Sequence, residues 1–160
     1  MTLARIELQN TKSISEKFKL LEKKGNDLRP LFGEMITAFY KVQKNIVFRN
    51  GRASGPGRYA DLKKVTQDKK SKEFGFIYPV LVASGRLMNS FKKGGSENIT
   101  KITKLRAEAG SRVPYARYLQ EGTSKMPARP PILPDTFKPN TLAGRQVVGV
   151  LDQYLARIMK

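Results

Sequence analysis

The amino-acid sequence predicts an α+β fold, in which a small antiparallel sheet carries a long helix from the N-terminal half and a C-terminal helix packed on it, with extended loops or arms. Apolar residues with helical spacing run from residue 28 to 46 and again from 147 to 158, and short β-branched segments lie between them. This order is typical of helices segregated to one face of an antiparallel sheet. The length of 160 residues fits one domain, 1–160.

The first predicted elements are a short strand and two helices. Residues 3–8 alternate well enough for a strand, and Ser13 with Glu16 matches a capping box that opens a helix ending at Gly25. Asp27 is an N-cap candidate for the long helix that follows. We interpret the apolar stripe of that helix as core packing.

A loop and a polar segment follow the long helix. Residues 49–58 hold three Gly, one Pro and three Arg in ten positions, which predicts a loop. Residues 59–72 are polar, Lys-rich and only weakly helical. We therefore expect a mobile arm over residues 49–73, protease-sensitive in a free monomer and ordered on assembly.

The sheet is predicted in the second half of the chain. Residues 74–91 contain Pro and Gly and are interpreted as a turn-rich segment leading into a short strand around Leu87. The β-branched content of residues 98–104 favours a strand, with residues 105–111 as its hairpin partner.

The C-terminal third is predicted to contain two helices separated by extended chain. Pro114 opens a short helix that Gly122 ends, and the last helix begins near Thr141. Between them, residues 127–139 hold five prolines, which exclude regular structure and predict an extended segment.

Positive charge is spread evenly along the chain. There are 31 Lys and Arg against 13 Asp and Glu, a net charge of +18 at pH 7. Residues 1–80 carry 17 basic and 8 acidic side chains and residues 81–160 carry 14 and 5, so each half contributes +9. This distribution indicates a charged folded body rather than a basic tail. It fits either a solvated surface or one that faces polyanions or an acidic protein.

The side chains that most often carry catalysis are missing. The absence of His and Cys excludes histidine acid–base chemistry, thiol nucleophiles and zinc–thiolate sites. Asp61, Asp68 and Glu73 lie among lysines, where ion pairs explain them. We expect no enzymatic activity, no catalytic residue, no metal and no cofactor. No apolar stretch approaches the ~20 residues that span a bilayer, so we expect no membrane association.

The glycines at 51–57 invite a phosphate-binding interpretation. They lack the Gly-Lys-Ser/Thr ending of a P-loop, so we predict turns instead. No helix-turn-helix, zinc-finger or RNA-recognition pattern supports base-specific recognition. The candidates for contacts with phosphates or with an acidic partner are Arg49, Arg52, Arg58, Lys63 and Lys64.

Three stretches have an order and spacing that is specific when they are taken together. Residues 57–63 include Gly-Arg-Tyr-Ala-Asp, residues 79–91 include Ala-Ser-Gly-Arg-Leu-Met-Asn-Ser-Phe, and residues 115–130 combine Tyr-Ala, Gln-Glu-Gly-Thr and Met-Pro-Ala-Arg-Pro. They resemble the phage virion morphogenesis (tail completion) family, Mu-like, over about residues 27–133. The chain departs from that pattern at Tyr59, where Trp is usual, and at Leu119, where His is frequent, which leaves the subfamily open.

The resemblance implies a non-catalytic structural protein of the virion neck or tail end, present in the host cytoplasm during assembly. Such proteins complete the tail as a closed homo-oligomeric ring, for which six-fold symmetry is the family-level expectation. The implied partners are neighbouring neck, tail-terminator, tail-tube or connector proteins, and DNA passing through the ring. We expect the basic surface to contact acidic neighbouring proteins and not DNA, because a channel wall that bound phosphates would slow the passage of DNA through the ring. The alternative is a basic nucleic-acid-binding protein.

Residues of the third stretch are candidates for contacts between subunits. Tyr and Arg are enriched at interface hot spots, although Tyr115 and Tyr118 fit core packing equally well. Arg129 fits either a contact with a neighbouring acid or a turn in which it binds nearby carbonyls. If Arg129 contacts a neighbouring acid, we expect Arg129→Ala to impair assembly and to leave the subunit folded. The candidates are Tyr115, Tyr118, Gln120, Gly122, Thr123, Arg129 and Pro130.

Overall fold

The computed structural model describes residues 2–5, 16, 19, 21, 27–49, 59–133, 138 and 141–158. Within these ranges the fold is α+β, as predicted. The strands are β1 (Thr2–Arg5), β2 (Asn98–Ile102) and β3 (Ala107–Ser111). The helices are α1 (Arg29–Val42), which a π-helical turn (Gln43–Arg49) continues, α2 (Lys64–Phe74), α3 (Arg86–Ser90), α4 (Ala116–Glu121) and α5 (Leu142–Ile158).

The sheet is antiparallel, with β3 between β1 and β2. Thr2 pairs with Ser111 on one side of β3, and Asn98 pairs with Ser111 on the other. The predicted hairpin between β2 and β3 is confirmed, and the amide of Thr103 closes it with a 2.7 Å hydrogen bond to the Arg106 carbonyl oxygen. The small residues of β3 are buried, and α1 contacts both β2 and β3.

The long helix α1 supplies the centre of the core. Its predicted apolar stripe is confirmed, since the side chains of Leu31, Met35 and Phe39 are almost fully buried. The C-terminal helix α5 packs along α1 through residues that include Val147 and Leu151. A polar contact joins α1 to β2, because the Tyr40 hydroxyl accepts a 2.8 Å hydrogen bond from Nδ2 of Asn98.

The predictions for the chain before α1 are tested only in part. Of the predicted helix between Ser13 and Gly25, the described residues Glu16, Lys19 and Leu21 are helical, and the others lie outside the described residues. Asp27 is not the residue that immediately precedes α1, which is Leu28. Its carboxylate nevertheless accepts the amide of Arg29 at 3.0 Å, as an N-terminal cap does.

One prediction in the middle of the chain is corrected, and another stays a prediction. Within the predicted mobile arm 49–73, the structure shows helix α2 at 64–74 with Tyr59 and Lys70 buried, and the mobility of the arm in a free monomer stays a prediction. Residues 50–58 lie outside the described residues. The predicted strand around Leu87 is helix α3, which buries Leu87, and Phe91, the residue that follows the helix, is buried as well.

The region after β3 agrees with the sequence. Helix α4 ends at Gly122, whose φ of +77° lies in the left-handed region. Residues 127–133 form neither helix nor strand, and of 134–140 only Lys138 is described. Thr141 caps α5, since its hydroxyl oxygen accepts the amide of Gly144 at 3.0 Å.

Candidate interaction groove

An open cavity of about 320 Å³ lies between α2 and α4. We call it the α2–α4 groove. Helix α2 and Leu62, two positions before it, form one wall, with Thr66 and Phe74 among the lining residues of the helix. The segment 80–87 forms the second wall, and Tyr115, Leu119, Met126 and Arg129 form the third.

The groove is the place where the three stretches that carry the family resemblance meet. Leu62 comes from the first stretch, Leu81 and Leu87 from the second, and Leu119 and Arg129 from the third. These residues are far apart in the sequence, so only the fold brings them together. A lining that is mostly apolar with a few polar groups is typical of a binding site.

Arg129 connects two segments of its own chain in this region. Its side chain is 4% exposed, and it donates hydrogen bonds of 2.9 Å from Nε to the Ala60 carbonyl oxygen and from Nη2 to that of Asp61. Burial lowers the pKa of the guanidinium, and the charge of Asp61 opposes this. The interpretation as a turn residue that binds carbonyls is confirmed. The expectation that Arg129 faces a neighbouring subunit is corrected, because its side chain is enclosed by its own chain.

Lys70 is the second cation in the lining of the groove. It is 6% exposed, and its Nζ donates hydrogen bonds to the carbonyl oxygens of Ile77 at 2.5 Å and Pro79 at 2.7 Å. The same Nζ lies 5.2 Å from the centre of the Phe76 ring, a cation–π distance. Burial lowers the pKa of this ammonium group. Lys70 thus joins α2 to residues 77–79, which lead into the second wall.

Three other candidates also make internal contacts. The Gln120 amide exchanges hydrogen bonds with the backbone of Ile132, at 2.9 Å and 3.1 Å. Thr123 forms an isolated β-bridge with Met126. The carbonyl oxygen of Pro130 accepts a 2.6 Å hydrogen bond from the Tyr59 hydroxyl, and burial raises the pKa of that hydroxyl well above its usual range.

Gly122 permits the close return of the chain beneath α4. A Cβ atom at this position would lie 2.8 Å from the amide nitrogen of Ala128. The backbone amide of Arg129 then donates a 2.8 Å hydrogen bond to the Leu119 carbonyl oxygen. Gly122 therefore shapes the third wall of the groove and is not itself available for a side-chain contact.

The two tyrosines of the third stretch are on the surface. Tyr118 is 59% exposed and Tyr115 is 39% exposed, so neither closes the core. Tyr115 also lines the groove, with its ring centre 6.0 Å from the Arg86 guanidinium. Of the interface candidates, these two are the most exposed large side chains.

The basic candidates do not form a single described site. Arg49 ends the π-helical turn and is exposed, and Lys63 is exposed just before α2. Lys64 forms an exposed ion pair with Asp68 at 3.0 Å, as expected for that acid. Arg52 and Arg58 lie outside the described residues.

Sequence reasoning missed Lys70 and the groove itself. Nothing distinguishes Lys70 from the exposed lysines beside it, because its burial depends on the later segment 77–79 folding against α2. Arg86 lies within a quoted stretch, but its ion pair with Glu97 at 2.6 Å depends on the position of β2.

The parts of the chain that the structure describes contain neither a metal-binding cluster of acidic side chains nor a helix able to cross a membrane. These parts hold no group of three or more Asp or Glu side chains placed to bind a metal ion. Their helices do not include one with the length and apolar character needed to cross a membrane. No protein-family model, curated protein or solved structure matches the chain.

Proposed function

We propose that this chain is a non-catalytic structural protein of phage virion assembly, which forms a homo-oligomeric ring at the neck or tail end. The observation that carries the proposal is the meeting of the three resembling stretches at the α2–α4 groove. Residues that serve only to close a core would not be expected to converge on an open, mostly apolar surface depression. A shared binding site explains both their residue types and their positions.

The exposed tyrosines support an assembly role. Tyr115 and Tyr118 present large aromatic surfaces on α4, beside the groove. Tyrosine adds contact area at low entropic cost and is enriched among the residues that dominate binding energy. A ring subunit needs two different surfaces that bind head to tail, and the exposed face of α4 is suited to be one of them.

Imaging tests the proposal directly. Purified protein would be studied by light scattering coupled to size-exclusion chromatography and by negative-stain electron microscopy, and gold-labelled antibody would locate it on particles. We expect a closed ring of about six copies and label at the head–tail junction. A monomer at every concentration, together with unlabelled particles, would contradict the proposal.

The alternative function is binding of nucleic acid. It is favoured by the net charge of +18, which is spread evenly along the chain. It predicts tight association of the isolated protein with duplex DNA or RNA, with an affinity that falls steeply as salt rises. The structural role predicts discrete oligomers and at most weak, salt-sensitive binding to DNA. A titration of labelled duplex at two salt concentrations, on the same preparation used for imaging, separates the two functions.

A further inference from the structure

The lining of the α2–α4 groove contains two buried positive charges that form no ion pair with a carboxylate of the described residues, and Asp61 acts on Arg129 only at longer range. Lys70 and Arg129 both line it, and backbone carbonyl oxygens accept their hydrogen bonds. Among the described residues, neither side chain takes part in an ion pair within 4.0 Å. Buried charges in proteins are normally paired, so this arrangement indicates an anionic partner.

Hydrogen-bond donors remain on both cations. A lysine ammonium has three N–H groups and an arginine guanidinium has five, whereas two of each donate to the carbonyls described above. The remaining N–H groups belong to side chains that are almost fully buried, so Lys70 and Arg129 act on an occupant of the groove through their positive charge. A carboxylate is the group that best matches this charge.

The rest of the groove lining also carries more positive than negative charge. Lys69 and Arg86 add two further positive groups, and Glu73 is the one carboxylate among the described residues that line the groove. The Arg86 charge is already bound by Glu97. The remaining walls are mainly apolar, with side chains such as Phe74, Val80 and Leu119. The groove thus combines an apolar volume with an excess of positive charge.

We infer that the α2–α4 groove binds a segment of a different protein that presents an apolar side chain beside an Asp or Glu carboxylate. This inference rests on the proposed function, since a neighbouring virion protein is the occupant. A second copy of this chain is a poorer match, because its net charge of +18 would be repelled by the positively charged groups that line the groove. Nucleic acid is also a poorer match, because it would leave the apolar walls without a complementary surface.

Two synthetic peptides provide the probes. Both are eight-residue, fluorescein-labelled peptides with the same central Phe and Leu, one flanked by Glu and the other by Lys. In fluorescence anisotropy titrations at low salt, we expect the Glu peptide to bind about tenfold more tightly than the Lys peptide, and this preference to shrink as salt is added. Equal affinities, or tighter binding of the Lys peptide, would overturn the inference.

A matched pair of variants locates the binding. Lys69 and Lys72 are both exposed on α2, but only Lys69 lines the groove. Lys69→Glu and Lys72→Glu change the net charge equally, so a nonspecific charge effect would weaken both alike. We expect Lys69→Glu to weaken the Glu peptide by about tenfold and Lys72→Glu by less than about twofold. Equal losses would place the binding elsewhere and overturn the inference.

A third variant tests the apolar part of the groove. Ala83 is exposed at the second wall, and Ala83→Trp would fill the space beside it. We expect the variant to lose binding of the Glu peptide. Loss of self-association in this variant, with no peptide selectivity in the parent protein, would instead identify a second copy as the occupant and overturn the inference.

These outcomes are separable from failure of the proposed function. Normal rings and labelled particles without peptide selectivity would reject the acidic partner and leave the structural role intact. Peptide selectivity that follows Lys69, in a protein that forms no ring and is absent from particles, would reject the structural role and leave the acidic-segment site intact.

Discussion

The Nε atom of Arg129 donates a 2.9 Å hydrogen bond to the carbonyl oxygen of Ala60, a residue 69 positions earlier in the chain. This bond joins the segment that leads into α2 to the segment that returns beneath α4. The third stretch of the family resemblance is thereby connected to the first inside one subunit. Arg129 consequently acts on the shape of the groove from within and does not reach outward to a neighbour.

The first prediction concerns the stability contribution of this bond. Arg129→Ala would leave the carbonyl oxygens of Ala60 and Asp61 without their charged donor, and we expect it to lower the free energy of unfolding by about 2–4 kcal/mol. Urea denaturation followed by circular dichroism measures the change. The control is Arg117→Ala, which removes an exposed ion pair with Glu121 and should cost less than about 1 kcal/mol. Similar values for the two variants would show that Arg129 is not a structural link.

The sequence was sufficient for the elements whose packing follows from local periodicity. The stripe on α1 and the hairpin between β2 and β3 lie where the residue patterns predict them. The pattern of residues 74–91 predicts turns and a strand around Leu87, and it does not reveal the short helix α3 that forms there. Leu87 within this helix and Phe91 just after it are both buried.

The candidate site was less predictable because its chemistry depends on contacts between distant segments. Tyr115 and Arg129 belong to one motif, yet Tyr115 is on the surface and Arg129 is enclosed. Nothing in their local sequence separates these outcomes. Lys70 is a stronger example, since its burial requires the carbonyls of Ile77 and Pro79, which a polar helical pattern does not reveal.

The second prediction concerns the turn at the end of α4. Gly122 has φ +77°, and an added Cβ would lie 2.8 Å from the Ala128 amide nitrogen, so Gly122→Ala combines backbone strain with a collision against backbone. We expect a loss of about 2 kcal/mol or more in the free energy of unfolding. Gly149→Ala is the matched control, because it lies within α5 with open space around the new Cβ. That change should raise stability by about 0.5–1 kcal/mol. A neutral Gly122→Ala would contradict the close return of the chain.

The third prediction concerns stability at alkaline pH. Burial raises the pKa of the Tyr59 hydroxyl above its usual value near 10, so the folded state retains this proton when the unfolded state loses it. The contribution of Tyr59 to stability is therefore complete below pH ~10 and is lost as pH rises beyond it, by about 1.4 kcal/mol per pH unit. Denaturation of the parent and of Tyr59→Phe at several pH values above 9 measures this.

The phenylalanine variant should differ from the parent in two ways. At neutral pH it lacks the 2.6 Å hydrogen bond to the Pro130 carbonyl oxygen and should be about 1 kcal/mol less stable. Above pH ~10 its stability should fall less steeply, so the two curves converge. Tyr118→Phe is the control for removal of a tyrosine hydroxyl, because Tyr118 is exposed on the surface. Parallel curves for Tyr59→Phe and the parent would exclude a buried, protonated Tyr59.

The fourth prediction concerns a polar side chain inside the core. Gln43 is fully buried at the start of the π-helical turn, and neither its Oε1 nor its Nε2 has a hydrogen-bond partner among the residues that the structure describes. Burying an amide without partners costs roughly 1–3 kcal/mol, whereas a methionine of similar length has no such group to satisfy. We expect Gln43→Met to raise the free energy of unfolding by about 1–2 kcal/mol, measured by urea denaturation. Gln153→Met is the control, since Gln153 is exposed on α5 and its replacement should change stability by less than about 0.5 kcal/mol. A destabilised Gln43→Met would mean that the amide is satisfied in solution by a group that contributes to the fold.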